Sequence, residues 1–174
     1  MISFKDAVGY LYIVREKIRE VDTSGLFKYY CPNVKTTEVE INSWEKENQL
    51  FLPDVYKQFL LTANGWKCVS QDINLFRLEE LTLSKSNKHI KNRDFSLQNL
   101  TSNGNEECLL PIGASDYSCD QFLMILDAEC NCYGQVLWVA GEEIERYKDF
   151  AEFFLSLIQY NKYNYELLTG KKYD

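Results

Sequence analysis

The hydrophobic period of this chain changes twice. Apolar residues recur at helical spacing as far as Leu60, shorten to strand-like runs between Ile73 and Val139, and return to helical spacing after Asp149. A helix offers one apolar stripe and a half-buried strand one apolar face, so elements in this order bury those faces as helices packed on one antiparallel sheet. The expected class is α+β: a single domain over residues 1–174, with a central, mostly antiparallel sheet, helices against it and a long C-terminal helix. At 174 residues and 45% hydrophobic side chains the chain can sustain such a core without disulfide or metal staples.

Local signals give the elements. Ser3 with Asp6 marks a helix start, and Phe4, Val8, Leu11, Val14, Ile18 and Val21 predict a helix over 4–21. Thr37 with Glu40 forms a second capping box ahead of Ile41 and Trp44. Pro53 suits the first turn of a third helix carrying Val55, Tyr56, Phe59 and Leu60, which stops at Asn64-Gly65, where the backbone can turn left-handed. Strands are expected over 73–77, 108–112, 121–126 and 135–139, with a helical turn at 78–81. Asp149 and Glu152 open the last helix, whose apolar side carries Phe150, Phe154, Leu157, Ile158 and Leu168. Between these elements, residues 82–105 are polar and end in Ser102-Asn103-Gly104-Asn105, the composition of an exposed insertion.

Charge excludes one large class. With 19 basic and 26 acidic side chains the net charge is −7, which argues against a dedicated nucleic-acid binder. The balance is also uneven: residues 106–145 hold Glu106, Glu107, Asp116, Asp120, Asp127, Glu129, Glu142, Glu143 and Glu145 and no Lys or Arg, so a segment of charge −9 sits in a remainder of +2. Most of these carboxylates belong to strand connections and edges, where they make either an ordinary soluble surface or a negative field that steers a basic partner. Tyr117 and Tyr133 add aromatic contact area there, whereas Trp138, inside an expected strand, reads as core.

Reactive chemistry is mostly missing. Neither a P-loop nor a G-x-G-x-x-G fingerprint occurs. Cys130 and Cys132, with Cys119 and Cys108 upstream, have no second well-spaced ligand pair and no nearby histidine, so no metal is assigned. The single histidine, His89, lies among Lys88, Lys91 and Arg93 without a nucleophile or a carboxylate to orient it. Asp116 with Asp120, or Glu142 with Glu143, could converge, but spacing alone gives no acid/base pair, and no catalytic residue and no cofactor are assigned. The basic run from Lys85 to Arg93 reads as a solvated loop, and the tyrosines Tyr160, Tyr163, Tyr165 and Tyr173 as packing for the last helix. The six cysteines are expected to be reduced thiols. No apolar stretch reaches membrane-spanning length and no leader pattern opens the chain, so a cytoplasmic protein is expected.

Leu52-Pro53-Asp54-Val55-Tyr56-Lys57-Gln58-Phe59-Leu60, followed by Asn64-Gly65-Trp66, resembles the signature of the SUKH superfamily, bacterial immunity proteins related to the yeast Smi/Knr cell-wall regulators. The likeness continues in Ile41 and Glu45, Leu110-Pro111-Ile112-Gly113, Gln121-Phe122 before Asp127, Gly134-Gln135-Val136 before Trp138, and Asp149-Phe150-Ala151-Glu152-Phe153-Phe154-Leu155, together covering roughly residues 37–158. The family often has Gly before the Asp matched by Asp120, where this chain has Cys119, and residues 82–105 exceed the minimal pattern. Leu52, Pro53, Tyr56, Phe59, Asn64, Gly65 and Trp66 read as structural, since none is placed for reaction.

The resemblance implies binding and not catalysis: a cytoplasmic SUKH-like immunity protein that docks onto a cognate polymorphic toxin, very often a basic nuclease, without touching nucleic acid or membrane. Combined with the acidic segment, it puts the expected contacts at Asp116, Tyr117, Asp120, Glu129, Tyr133, Glu142 and Glu143. The alternative it carries is a regulatory scaffold of the Smi/Knr type. Toxin identity and oligomeric state stay open.

Overall fold

The structure, a computed structural model, describes residues 3–82, 108–129 and 131–173. From residue 83 onward the expected polar insertion, with His89 and its basic neighbours, lies outside the described residues, as do Glu106, Glu107 and Cys130.

Among the described residues three helices come first, the first two capped by side chains. Helix α1 (Phe4–Val21) starts at Ser3, whose hydroxyl accepts the Asp6 N–H. Thr37 and Glu40 close a reciprocal capping box at the head of α2 (Glu38–Asn48), satisfying two backbone donors that the first turn leaves open. Helix α3 (Asp54–Leu60) follows Pro53, which sits at the N-cap instead of inside the first turn. Among the described residues six strands then run in order, β1 (Trp66–Ser70), β2 (Ile73–Leu75), β3 (Leu109–Ser115), β4 (Gln121–Ile125), β5 (Val136–Val139) and β6 (Glu143–Tyr147), with a 3₁₀ turn at Leu78–Glu80, and α4 (Phe150–Thr169) follows them. All six strands form one antiparallel meander in chain order. The domain is α+β, as the order of periodicities implies.

The two strands absent from the sequence reading are both at the sheet's edges. In β1, Cys68 takes a left-handed backbone (φ 49°) and the register slips between Trp66 and Ser70, so the two-residue alternation that announces a strand is broken. In β6 only Tyr147 is buried, and Glu143, Glu145 and Arg146 give it the charged sequence of a protected edge. Central β4 and β5 keep the pattern: Phe122, Met124 and Val136 face the helices, while Leu123, Ile125, Leu137 and Val139 join Leu109 and Cys132 in a second apolar cluster on the opposite face. Pro111 is tolerated in β3 because β2 pairs only with Gly113–Ser115, beyond it, and a register shift separates Pro111 from Gly113.

Between helices and sheet lies an aromatic centre. Phe59 sits 5.9 Å from Phe4, 4.8 Å from Phe150 and 5.5 Å from Phe154, within the range where ring pairs add to simple burial. The motif residues serve this packing: Leu52, Tyr56, Phe59 and Trp66 are buried, Trp66 Nε1 donates to the Tyr30 carbonyl at 2.8 Å, and Asn64 Oδ1 accepts the Leu78 N–H at 2.7 Å. Glu45 accepts the Leu52 N–H at 2.8 Å and pairs with Lys57 at 3.1 Å, fixing the junction of α2 and α3.

One buried side chain was not foreseen, and one expectation is corrected. Arg15, on the inner side of α1, is 1% exposed; it donates to Asn161 Oδ1 at 3.3 Å and to the Lys28 carbonyl, and burial pulls its pKa down. Asn161 in turn donates to the Val69 carbonyl at 3.1 Å, so a polar bridge crosses from α1 through α4 to β1. The expectation of reduced thiols holds for Cys31, Cys68, Cys108 and Cys119 but is corrected at Cys132, which is disulfide-bonded.

Candidate functional site

In an antiparallel meander alternate connections fall at the same end of the sheet. The register puts the β1–β2 turn (71–72), the β3–β4 turn (116–120) and the β5–β6 turn (140–142) together, since Ile73 pairs with Ser115 and Gln121 with Val139. Asp116, Tyr117, Asp120, Glu142 and Glu143 are therefore neighbours in the fold. Glu129 and Tyr133 are not: they lie in the β4–β5 connection, at the other end of the five-residue β4, roughly 13 Å away by strand rise. Tyr133 there donates its hydroxyl to the Phe51 carbonyl at 2.9 Å, beside the α2–α3 junction.

One carboxylate of this sheet end escaped the sequence reading. Asp72 occupies the β1–β2 turn, and the turn went unseen because β1 did. Its carboxylate accepts from Ser115 Oγ and from the Tyr117 N–H at 3.3 Å, stitching the first turn to the second. Asp120 accepts the Trp138 indole N–H at 2.6 Å and the Ser118 hydroxyl. The β3–β4 turn closes without a left-handed residue at 119, so Cys119 sits there without backbone strain.

The field here is less uniform than the sequence segment implies. Arg146, one residue past the acidic stretch, forks onto Glu143 with contacts of 2.8 and 2.7 Å and neutralises it. Lys28 donates to the Tyr117 hydroxyl at 3.0 Å and lies over its ring, an interaction that raises the lysine's pKa. Tyr117 nonetheless remains 77% exposed. Asp72, Asp120 and Glu145 have no ion pair among the described residues.

Beside these turns a cleft of about 150 Å³ opens between α4 and the sheet. Phe122, Tyr147 and Phe153 make its buried floor, while Trp138, half-buried, and Tyr160 stand edge to face at 5.8 Å. Glu145 accepts both tyrosine hydroxyls, Tyr147 at 2.7 Å and Tyr160 at 3.4 Å, and burial raises the pKa of each phenol. Trp138 thus faces the helix side, as its strand position implies, yet keeps an accessible edge.

A pH dependence follows from two carboxylates. Hydrogen bonds from Arg146 hold Glu143 below the usual 4.5, and those from Thr36 and Thr37 do the same for Glu40. A depressed folded pKa contributes stability that is full above the unfolded value and is lost as pH falls through the folded one. The urea midpoint should therefore drop on moving from pH 7 to pH 3 with an unchanged m-value; an equal midpoint at both would contradict these assignments.

A family model supplies the classification: that of the SMI1 / KNR4 family (SUKH-1) matches residues 35–156. The chain belongs to the SMI1/KNR4 family. No curated protein matches it. The matched SUKH-1 region takes in α2, α3, all six strands and the first part of α4, so both the motif around Phe59 and the acidic sheet end belong to the family domain. Among the described residues no helix is long and apolar enough to cross a membrane, and no cluster of three or more His, Cys, Asp or Glu residues has the arrangement to hold a metal ion.

Proposed function

We propose that this SUKH-1 protein is a non-enzymatic, cytoplasmic immunity protein that neutralises a cognate toxin, of the basic nuclease kind, by docking the acidic end of its sheet onto it. The observation that carries the reading is the convergence of Asp72, Asp116, Asp120 and Glu142 on three adjacent turns beside exposed Tyr117. Turn-borne carboxylates on a rigid sheet present a fixed negative field with little conformational cost, which favours encounter with a surface built to hold phosphates. Glu129 and Tyr133, at the far end, drop out of this contact set.

The test is a tagged pull-down from the native organism, washed at low and then high salt, with mass spectrometry of the bound material. A single basic toxin domain whose retention weakens with salt supports the reading. Asp116→Lys combined with Glu142→Lys, both exposed, should weaken capture about tenfold while circular dichroism stays unchanged. Unaltered affinity would remove the acidic end from the interface. Recovery of several signalling or wall-synthesis enzymes instead would favour the scaffold role that the family name also allows.

A further inference from the structure

We infer that the cleft between α4 and the sheet is a receptor for one arginine side chain of the protein partner. This rests on the reading of the acidic sheet end as a docking face and assigns its anchor. The cleft is about 150 Å³ in volume, the size of an engineered cavity that accepts a benzene-sized group. Its walls are aromatic, with Trp138 and Tyr160 at the rim over a floor of Phe122 and Tyr147. A purely apolar ring would suit those walls but not the rest of the lining.

Two polar side chains in the lining lack partners. Asn164, 8% exposed, and Ser70, 4% exposed, make no side-chain hydrogen bond among the described residues. The polar atoms of this carboxamide and hydroxyl still meet solvent in the cleft, and both offer acceptor oxygens to an incoming donor. Asp72 and Asp120 line the same cavity and have no ion pair among the described residues, so a bound cation would meet two carboxylates and leave none of its own charge uncompensated.

Planar shape, positive charge, several donors and affinity for aromatic faces describe a guanidinium better than an ammonium. Arginine stacks on indole and phenol rings and spreads its five donors over acceptors at different depths, whereas a lysine concentrates its charge at one strongly hydrated point. Arginine is also among the residues most enriched at interface anchors, and a surface that binds phosphates carries it. Asp120 then has a double use: it fixes the Trp138 indole and supplies charge.

The experiment uses the ¹⁵N-labelled full chain and no toxin. N-acetyl-arginine amide is titrated in, and the Trp138 indole and Asn164 carboxamide signals are followed, with N-acetyl-citrulline amide as the uncharged isostere and N-acetyl-lysine amide as the point charge. The expected result is a saturable shift of both signals by the arginine amide at millimolar concentration, with at least tenfold weaker responses to citrulline and lysine. Asn164→Leu and Asp120→Asn, the latter retaining an acceptor for the indole, should each weaken the arginine response severalfold while the remaining spectrum is preserved. Equal responses to arginine and citrulline amides, or no saturable shift, would overturn the inference, and the wild-type comparison decides this even if a variant fails to fold. Because no partner is present, such a failure leaves toxin docking to be judged by the pull-down. Conversely, loss of capture in the Asp116 and Glu142 variants does not bear on whether the cleft takes the amide.

Discussion

Phe59→Ala is expected to destabilise the domain by about 3–5 kcal/mol, the range for deleting a buried aromatic ring whose surroundings cannot collapse into the space. Phe59 is fully buried and its ring lies 4.8 to 6.2 Å from those of Phe4, Tyr56, Phe150 and Phe154. These neighbours come from α1, α3 and α4, so the cavity would open where three helices meet. Helix backbones tied to a six-stranded sheet cannot move in freely to refill it. Against a typical total of about 5–15 kcal/mol, that loss removes a large fraction of the stability. Urea unfolding followed by far-ultraviolet circular dichroism measures it; a loss below about 1 kcal/mol would mean that the centre repacks and that Phe59 does not key the helices together.

The second large effect is expected at Gly65. Its φ is +78°, and a Cβ built there would lie 2.7 Å from the Leu75 carbonyl oxygen and 2.8 Å from the Phe76 carbonyl group. The obstacles are backbone atoms of β2 and the residue after it, and they cannot swing aside as a flexible side chain would. Left-handed strain of about 1–2 kcal/mol and the clash, of similar or larger size, both act in Gly65→Ala, for a total of about 2–5 kcal/mol. Gly141 separates the two causes, because its φ is +83° while a Cβ there meets nothing within 4 Å. Gly141→Ala should cost only the strain. Equal losses in the two variants would show that backbone conformation, and not the approach of Gly65 to β2, makes glycine necessary in the motif.

Those two residues also mark how far sequence reasoning reaches here. The stop at Asn64-Gly65 was readable as local capping chemistry, and the glycine does adopt a left-handed conformation. Its closeness to the Leu75 and Phe76 backbones was not, because that depends on how β1 returns along β2. The starts of α1, α2 and α4 were legible for the same local reason: Ser3, Thr37 and Asp149 bond to backbone N–H groups three residues on, so the signal and its physical cause lie within one turn. Central strands β4 and β5 announced themselves as short, almost wholly apolar runs, because both of their faces are covered. Edges β1 and β6 did not, one because a bulge interrupts the period and the other because solvent keeps it charged.

The candidate site divides in the same way. The excess of carboxylates between residues 106 and 145 is a property of the sequence, but which of them share a surface is a property of the meander. Register gathers Asp116, Asp120 and Glu142 with the unanticipated Asp72, removes Glu129 and Tyr133 to the opposite end, and sets Arg146 on Glu143. Sequence by itself determined the class, the caps and the family, since each rests on local periodicity or on an ordered motif. Tertiary structure alone decided the cleft: Ser70, Asp72, Asp120, Trp138, Tyr160 and Asn164 come from the β1 end, two turns, β5 and α4. They are brought together by strand pairing and helix packing, over separations at which neighbouring residues in the chain carry no information.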